Sequence, residues 1–203
     1  MTAEETLLLH LPQPGAARRL IAIAGPPASG KSTLAQAFCS VLLAKGRRAA
    51  LVPMDGFHLD NAVLRERGQL ARKGAPETFD AAGFLALMPR LQSREEVAVP
   101  LFDRSRDIAV AGAAVVARDC DYVIVEGNYL LFDEAPWRGL AALWDLSAFI
   151  APSDNVLRER LVGRWLDHGL TMADAISRAE DNDLANARRI VAARLPSDHD
   201  FTT

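Results

Sequence analysis

The sequence predicts an α/β fold: a three-layer αβα sandwich in which helices cover both faces of a central, mostly parallel sheet. Three observations support this. Short apolar runs typical of buried strands recur along the chain, segments with helical periodicity separate them, and polar clusters follow directly after several of the runs. Ligands bind such sheets at the carboxyl ends of the strands. The polar clusters therefore mark the expected functional site.

The first half of the chain contains two predicted strands and two predicted helices. The run RLIAIA (19–24) predicts a strand, and apolar residues then recur at helical spacing from Lys31 until Gly46, which is typical of a helix end. The run AALVPM (49–54) predicts a second strand. Thr78 and Asp80 precede a further amphipathic stretch (84–91), which predicts a capped helix.

The second half continues the alternation. Strands are predicted at VAVPLF (97–102), at YVIVE (122–126) and around residues 146–150. Pro152 to Asp154 open a helix that runs toward His168, and Thr171 and Asp174 form a capping box for the last helical region. The tail after Pro196 is short and polar, and we expect it to be frayed.

Length and charge exclude several classes of protein. The 203 residues suit one domain (1–203), and the formal net charge is −3. The absence of a basic block argues against a nucleic-acid partner. No apolar run is long enough to span a bilayer, and the N-terminal segment carries acidic residues where a signal peptide would be basic. We therefore predict a cytoplasmic protein that does not act at a membrane.

The stretch GPPASGKS (25–32) has the GxxxxGKS pattern of a P-loop. Its glycines let the backbone N–H groups point inward, and the following helix adds its positive N-terminal end. Lys31 can reach the β- and γ-phosphates of a nucleotide such as ATP, and Ser32 can bind Mg²⁺. The residues expected to bind the nucleotide are Gly25, Pro26, Pro27, Ala28, Ser29, Gly30, Lys31, Ser32 and Thr33.

A P-loop alone is compatible with a phosphotransferase, a GTPase switch or an ATP-driven motor. The NKxD segment that reads guanine and the LSGGQ signature of transporter ATPases are both absent, and the chain is short for a motor. This favours a phosphotransferase. A nucleotide-binding regulator or slow ATPase stays open as the alternative of another class.

A second polar cluster, MDGFHLDN (54–61), follows the second predicted strand. Asp55 should lie at the carboxyl edge of the sheet, close to the P-loop. A carboxylate there can accept the proton of a hydroxyl that attacks the γ-phosphate. An Asp-Gly turn that merely ends the strand explains the same residues, and the spacing alone does not decide between the two.

Four motifs together resemble the phosphoribulokinase/uridine kinase family. They are MDGFHLDN (54–61), RKGAPETFD (72–80), PLFDRSRD (100–107) and VIVEGNYLL (123–131). Within that family the chain is most similar to bacterial pantothenate kinases and to their shorter relatives of the fructose-transport-kinase (fructokinase-like) type. The resemblance extends over about residues 20 to 195 and implies a P-loop NTPase fold with a small helical lid, at about residues 153–172.

The resemblance also implies roles for individual residues. Asp55 matches the catalytic aspartate, which favours the general-base interpretation. Glu126 matches a carboxylate near Mg²⁺, so Ser32 and Glu126 are the expected metal ligands. Arg164 matches the lid arginine that meets the transferring phosphate, where a guanidinium neutralises the charge that accumulates. Arg158 and Arg160 are weaker candidates for that role.

The segments that line the acceptor site in these relatives contain eight candidate substrate-binding residues. These are His58, Arg72, Lys73, Phe102, Arg104, Asp107, Asn182 and Asn186. Asn182 and Asn186 are spaced to share one helix face. Relatives of this kind also imply a homodimer, although no segment of the chain identifies an interface.

The differences between this chain and the pantothenate kinases indicate the nature of the acceptor. Pantothenate kinases are longer and line their pocket with aromatic residues, whereas this chain has only two tyrosines. After Pro100, where those enzymes have an aromatic and histidine pair, this chain has Phe102, Asp103 and Arg104. The arginine favours an anionic or polyhydroxylated alcohol as the acceptor. A sugar such as fructose is the first hypothesis, and pantothenate or a uridine-type nucleoside is the alternative.

Overall fold

The computed structural model describes residues 1–202, and within them seven strands form two sheets. The strands are β1 (Arg19–Ala24), β2 (Ala49–Pro53), β3 (Val97–Asp103), β4 (Ile108–Val116), β5 (Tyr122–Gly127), β6 (Leu146–Ile150) and β7 (His199–Phe201). The central sheet has the order β2–β5–β1–β6–β7, and every neighbouring pair in it is parallel.

Helices cover both faces of this sheet. They are α1 (Ala3–Leu9), α2 (Lys31–Ala44), α3 (Asn61–Glu66), α4 (Ala81–Gln92), α5 (Asp154–Asp167), α6 (Met172–Arg178) and α7 (Ala185–Ala192). The predicted helix ends are confirmed where capping was visible in the sequence. Asp80 caps α4 by accepting from the N–H of Gly83, and Thr171 caps α6 by accepting from the N–H of Asp174.

The side chains of the central strand β1 show why helices pack on both faces of the sheet. Its side chains alternate, so that Leu20 and Ala22 belong to the core under α4, while Ile21 and Ile23 belong to the core under α2. All four side chains are fully buried. A parallel strand that is buried on both faces has a continuous run of apolar residues. This is why the run RLIAIA correctly predicted β1. The three-layer αβα fold is thereby confirmed, and the loop that leaves β1 lies at the centre of the sheet's carboxyl edge.

The strand predicted at VAVPLF exists, but it does not join the central sheet. β3 pairs with β4 in a separate antiparallel hairpin, and the register shifts between Val99 and Leu101, on either side of Pro100. β4 was missed because its sequence, IAVAGAAVV, is rich in alanine and has no clear polar alternation. The hairpin matters for the site because it carries Phe102 and Arg104.

The prediction of a frayed tail is wrong. β7 adds to the sheet beside β6, with Ala148 opposite His199. Two polar contacts hold it: Asp198 accepts from the Ser147 N–H at 2.8 Å, and Arg194 forms an ion pair with Asp200 at 2.6 Å. Because these partners are distant in sequence, local composition could not reveal them.

The last helical region contains an irregular turn. Between α6 and α7, residues Ala179–Leu184 form a π-helical turn. Such turns insert an extra residue into the helix and change which side chains face inward. Here Asn182, Asp183 and Asn186 are all buried, and this turn faces the cleft described next.

Candidate active site

A cleft of about 760 Å³ runs along the carboxyl edge of the central sheet. The P-loop lies in its middle, between the end of β1 and the start of α2. The cleft is lined on one side by the ends of β2 and β5 and by the hairpin, and on the other by the ends of β6 and β7. The residues predicted to bind nucleotide from Pro27 to Thr33 line it; Gly25 and Pro26 shape the base of the loop.

Glycines are required in the P-loop for two different reasons. A Cβ atom on Gly25 would lie 2.6 Å from the carbonyl oxygen of Ile150 and 2.8 Å from Ser29 Oγ, so no side chain fits there. Gly30 has a φ of 95° directly before α2, a left-handed conformation that favours glycine. The loop therefore curls tightly enough for its N–H groups to face an anion.

Lys31 is largely buried, with 9% of its surface exposed. Among residues 1–202 its ammonium group has one weak hydrogen-bond partner, the carbonyl oxygen of Pro26 at 3.5 Å. Burial lowers the pKa of Lys31, and the charges of Glu126 and Asp55 oppose that shift. A desolvated cation with so few partners is suited to bind an anionic ligand.

Ser32 and Glu126 lie together beside Lys31. Ser32 Oγ donates to Glu126 Oε2 at 3.1 Å. Burial raises the pKa of Glu126, while Lys31 acts in the opposite direction. Within residues 1–202 no group of three or more His, Cys, Asp or Glu side chains could hold a metal. A hydroxyl and one carboxylate nevertheless fit Mg²⁺, which binds few protein ligands and takes the rest from phosphates and water.

Asp55 lies in a 3₁₀ turn (Met54–Phe57) that follows β2, and its side chain lines the cleft. The turn packs closely on the hairpin: a Cβ atom on Gly56 would lie 2.3 Å from the carbonyl oxygen of Pro100. Asp55 Oδ2 accepts from Arg104 Nη2 at 2.8 Å. β2 and β1 flank β5 in the sheet, so the ends of these strands carry Asp55, Glu126 and the P-loop side by side.

Arg164 reaches the cleft from α5. It forms no hydrogen bond or ion pair within residues 1–202, and its guanidinium lies 5.6 Å from the ring of Trp165. Burial lowers the pKa of Arg164, and Arg104 acts in the same direction. Arg160 lies closer to the P-loop, at 3.3 Å from the carbonyl oxygens of Ala28 and Ser29. Arg158 points away, toward Glu180.

The candidate acceptor residues divide into two groups. Six of the eight line the cleft: His58, Lys73, Phe102, Arg104, Asp107 and Asn186. Arg72 does not, because its side chain is turned outward to Glu77 at 3.0 Å. Asn182 is buried behind the cleft, where it donates to the carbonyl oxygen of Lys73 and accepts from Asn186. Asn182 therefore holds neighbouring residues in place and does not itself line the cleft. Arg72 does not line the cleft either.

Four of the six lining residues contact one another: His58, Phe102, Lys73 and Asp107. The His58 ring packs between Phe79 and Phe102, with ring centres 4.0 and 4.7 Å away. Burial lowers the pKa of His58, which favours the neutral ring. Lys73 forms an ion pair with Asp107 at 2.8 Å and lies 5.0 Å from the centre of the Phe102 ring.

Several residues that line the cleft were not predicted from the sequence, among them Asn128, Arg178 and Asp183. Asn128 is buried and its Oδ1 atom has no hydrogen-bond partner within residues 1–202. It follows Glu126 at the end of β5, so the strand-end rule could have found it. Asp183 accepts from Trp165 Nε1 at 2.7 Å, and burial raises the pKa of its carboxyl. Asp183 faces inward because of the π-helical turn, which no sequence pattern indicated.

The model of the family described as Phosphoribulokinase / Uridine kinase matches residues 20–177. The chain belongs to this family. It is accordingly a small-molecule kinase, a phosphotransferase, and kinases of this P-loop family use ATP. No helix within residues 1–202 of this kinase is both long and apolar enough to cross a membrane.

Individual relatives support the family and differ in the acceptor that their names suggest. A crystal structure from Silicibacter sp. TM1040, provisionally assigned as a fructose transport system kinase, is 52% identical, with a TM-score of 0.94 and 99% of each chain covered. A provisional uridine kinase of Schizosaccharomyces pombe is 36% identical over 83% of this chain and 76% of its own length. A pantothenate kinase of Nocardioides sp. is 32% identical, covering 90% of this chain and 60% of its own.

Proposed function

We propose that this kinase transfers the γ-phosphate of ATP to a hydroxyl group of a sugar such as fructose. The observation that carries the proposal is the shared cleft, which is lined by Lys31 and Ser32 of the P-loop and by Asp55. Phosphoryl transfer requires an anion-binding loop and a group that accepts the hydroxyl proton on either side of one phosphorus atom. The three side chains meet that requirement.

Each residue has a separate task. Lys31 binds the terminal phosphates, since its ammonium group is buried and has a single weak hydrogen bond in the described part of the chain. Asp55 exchanges its contact with Arg104 for the acceptor hydroxyl and takes the proton as the oxygen attacks phosphorus. Arg164, which forms no ion pair in the part of the chain that the structure describes, binds the equatorial oxygens where charge accumulates.

Ser32 and Glu126 are the residues that would hold Mg²⁺. When bound, Mg²⁺ supplies charge neutralisation at the β- and γ-phosphates. Ser32 Oγ donates to Glu126 Oε2 at 3.1 Å, and Glu126 is buried whereas Ser32 is half-buried.

We also propose that residues 153–172 act as a lid. This segment contains α5 and the turn before α6, so its movement would carry Arg164 toward or away from the P-loop. Closure excludes water, which protects ATP from hydrolysis. Trp165, beside Arg164, links the lid to Asp183 in the π-helical turn.

A sugar fits the acceptor half of the cleft better than pantothenate does. The lining there is mostly polar, with Asp55, Lys73, Arg104 and Asp107 around the single phenylalanine ring of Phe102. Several hydroxyl groups can each find a donor or acceptor among such side chains. The identity to a pantothenate kinase over 90% of this chain keeps pantothenate as the second candidate.

The acceptor is tested by measuring ADP release from MgATP with fructose, other sugars, uridine and pantothenate, each against no addition. We expect release that depends on the acceptor and is highest with a sugar. Release that is highest with pantothenate or uridine contradicts the sugar hypothesis. The same slow rate with every addition contradicts the sugar hypothesis and both of its alternatives.

Lys31→Ala is expected to lower kcat by about 10²- to 10³-fold, the cost of removing one electrostatic contact to a developing charge. Its melting temperature should not fall, because a buried ammonium with one weak partner costs desolvation energy in the fold. Steady-state kinetics and thermal melts check both points. Lys45→Ala, which removes an exposed lysine at the far end of α2, is the matched control and should change neither.

A further inference from the structure

The helices α5, α6 and α7 and the π-helical turn between them pack together into one unit, which we call the lid unit (154–192). Its core is separate from the two cores that lie on the faces of the central sheet. Trp165 packs against this core from α5. A group of elements with its own core can move as one body against the rest of a domain. The buried residues of this core are Leu157, Leu161, Ala179, Leu184 and Ala187.

Trp165 contacts two of the cations that the lid unit brings to the cleft. The guanidinium groups of Arg164 and Arg178 lie 5.6 and 5.2 Å from the centre of its ring. At such distances a cation is attracted to the face of an indole. Trp165 Nε1 also donates to Asp183 Oδ2 at 2.7 Å. Trp165 thereby fixes the position of Arg164 relative to α6 and the π-helical turn.

The lid unit is also joined to residues 71–75, which we call the acceptor loop because part of it lines the cleft near Asp55. Arg178 Nη1 donates to the carbonyl oxygen of Ala71 at 2.8 Å. Asn182 Nδ2 donates to the carbonyl oxygen of Lys73 at 3.2 Å. Since both hydrogen bonds end on main-chain oxygens, a movement of the lid unit either carries the backbone of the acceptor loop with it or releases it.

The two connections to the acceptor loop meet at Trp165. One passes through Arg178, whose guanidinium lies beside the Trp165 ring. The other passes through Asp183, which accepts from Trp165 with Oδ2 and from Asn182 Nδ2 with Oδ1, at 3.3 Å. Arg164 is therefore connected through a single indole to the backbone on which the acceptor side of the cleft is built.

We propose that Trp165 is a positioning residue that couples Arg164 to the acceptor loop. When Arg164 reaches the transferring phosphate, Trp165 holds Arg178 and Asn182 in the arrangement that orders the acceptor loop. The inference rests on the proposed contact between Arg164 and that phosphate, and it extends the lid beyond residues 153–172. Coupling of this kind is reciprocal: binding of nucleotide favours the ordered acceptor loop, and an ordered loop favours nucleotide binding by the same factor.

Amide hydrogen exchange tests the coupling without an acceptor and without turnover. Exchange in the acceptor loop is followed by mass spectrometry, with and without a saturating Mg²⁺ complex of adenylyl imidodiphosphate, an ATP analogue with an N–H group between the β- and γ-phosphates. Trp165→Leu removes both the ring and the N–H group. Arg178→Met keeps the length of the side chain but has no donor for the carbonyl oxygen of Ala71.

Trp144→Leu is the matched control. Trp144 is half-buried like Trp165, and its Nε1 likewise donates to an oxygen, the carbonyl of Leu130 at 3.0 Å. It does not line the cleft. A general loss of packing would therefore affect the control and Trp165→Leu alike.

In the wild type and in Trp144→Leu, the ATP analogue is expected to slow exchange in the acceptor loop by at least about fivefold, the lower end of the usual coupling between two sites. In Trp165→Leu and Arg178→Met it should change the exchange rate by less than about twofold, because the coupling factor approaches one. Melting temperatures are measured for all variants. If Trp165→Leu is destabilised, Arg178→Met decides.

Two results would overturn the role of Trp165. One is a wild type in which the ATP analogue does not slow exchange in the acceptor loop. The other is a slowing that persists in full in Trp165→Leu or, where that variant is destabilised, in Arg178→Met. A failure of the sugar proposal gives a different pattern, in which exchange responds as described here but no sugar increases ADP release.

Discussion

Asp55→Asn is expected to lower the rate of phosphoryl transfer by about 10⁴-fold, the upper range for loss of a general base. The asparagine keeps the size of the side chain but cannot take up the hydroxyl proton. ATP affinity should remain close to that of the wild type, because the side chain contacts Arg104 and none of the P-loop atoms. Single-turnover kinetics with the acceptor found in the screen, together with ATP binding measurements, check the two expectations separately.

Asp119→Asn is the control for this experiment. Asp119 is an exposed carboxylate outside the cleft, so its loss changes the net charge equally without touching the site. A normal transfer rate in Asp55→Asn would show that the carboxylate is only a turn residue. That result would restore the interpretation of an Asp-Gly turn at the end of a strand.

Arg164→Ala is expected to lower kcat by about 10³- to 10⁵-fold, the range found when an arginine at a transferring phosphate is lost. The guanidinium lies in the cleft and forms no ion pair with any described residue (1–202), so its removal should not destabilise the fold. Arg164→Lys should recover only part of the rate, because an ammonium group cannot contact two oxygens in a fixed fork.

The same helix provides the matched control. Arg158 is on α5 but is exposed and paired with Glu180. Arg158→Ala should therefore leave kcat within about twofold of the wild type, since surface ion pairs contribute little. An equal loss of kcat in Arg158→Ala and Arg164→Ala would mean that α5 acts through its total positive charge and that Arg164 does not contact the phosphate.

The central part of the site could be predicted from the sequence because its determinants are local. The P-loop requires glycines at fixed spacing, an apolar strand before them and a helix after them, and all three are visible in the stretch around residues 19–44. The end of the second predicted strand placed Asp55 near the P-loop, and the family resemblance then favoured its role as a base and added Glu126. The structure shows these residues side by side because β5 lies between β2 and β1.

The remainder depended on contacts between distant segments. The hairpin that positions Arg104 contains the alanine-rich β4, which has no recognisable strand pattern. Asp183 faces the cleft because of a π-helical turn, and helical periodicity predicts the wrong face for residues beyond such a turn. Likewise β7 lies in a short polar tail and α1 begins with acidic residues, and only their packing beside β6 and α2 brings Glu4 and Phe201 to the cleft.

The proposed mechanism depends on one spatial relation: the P-loop and Asp55 must act on the same phosphorus atom. A crystal structure with ADP, Mg²⁺ and beryllium fluoride, which stands in for the γ-phosphoryl group, measures it directly. We predict a distance of no more than about 6 Å from an Asp55 carboxylate oxygen to beryllium, which leaves room for one attacking hydroxyl in hydrogen-bond contact. An Asp55 side chain that points away from the fluoride, or lies too far to share a hydroxyl with it, would contradict the account.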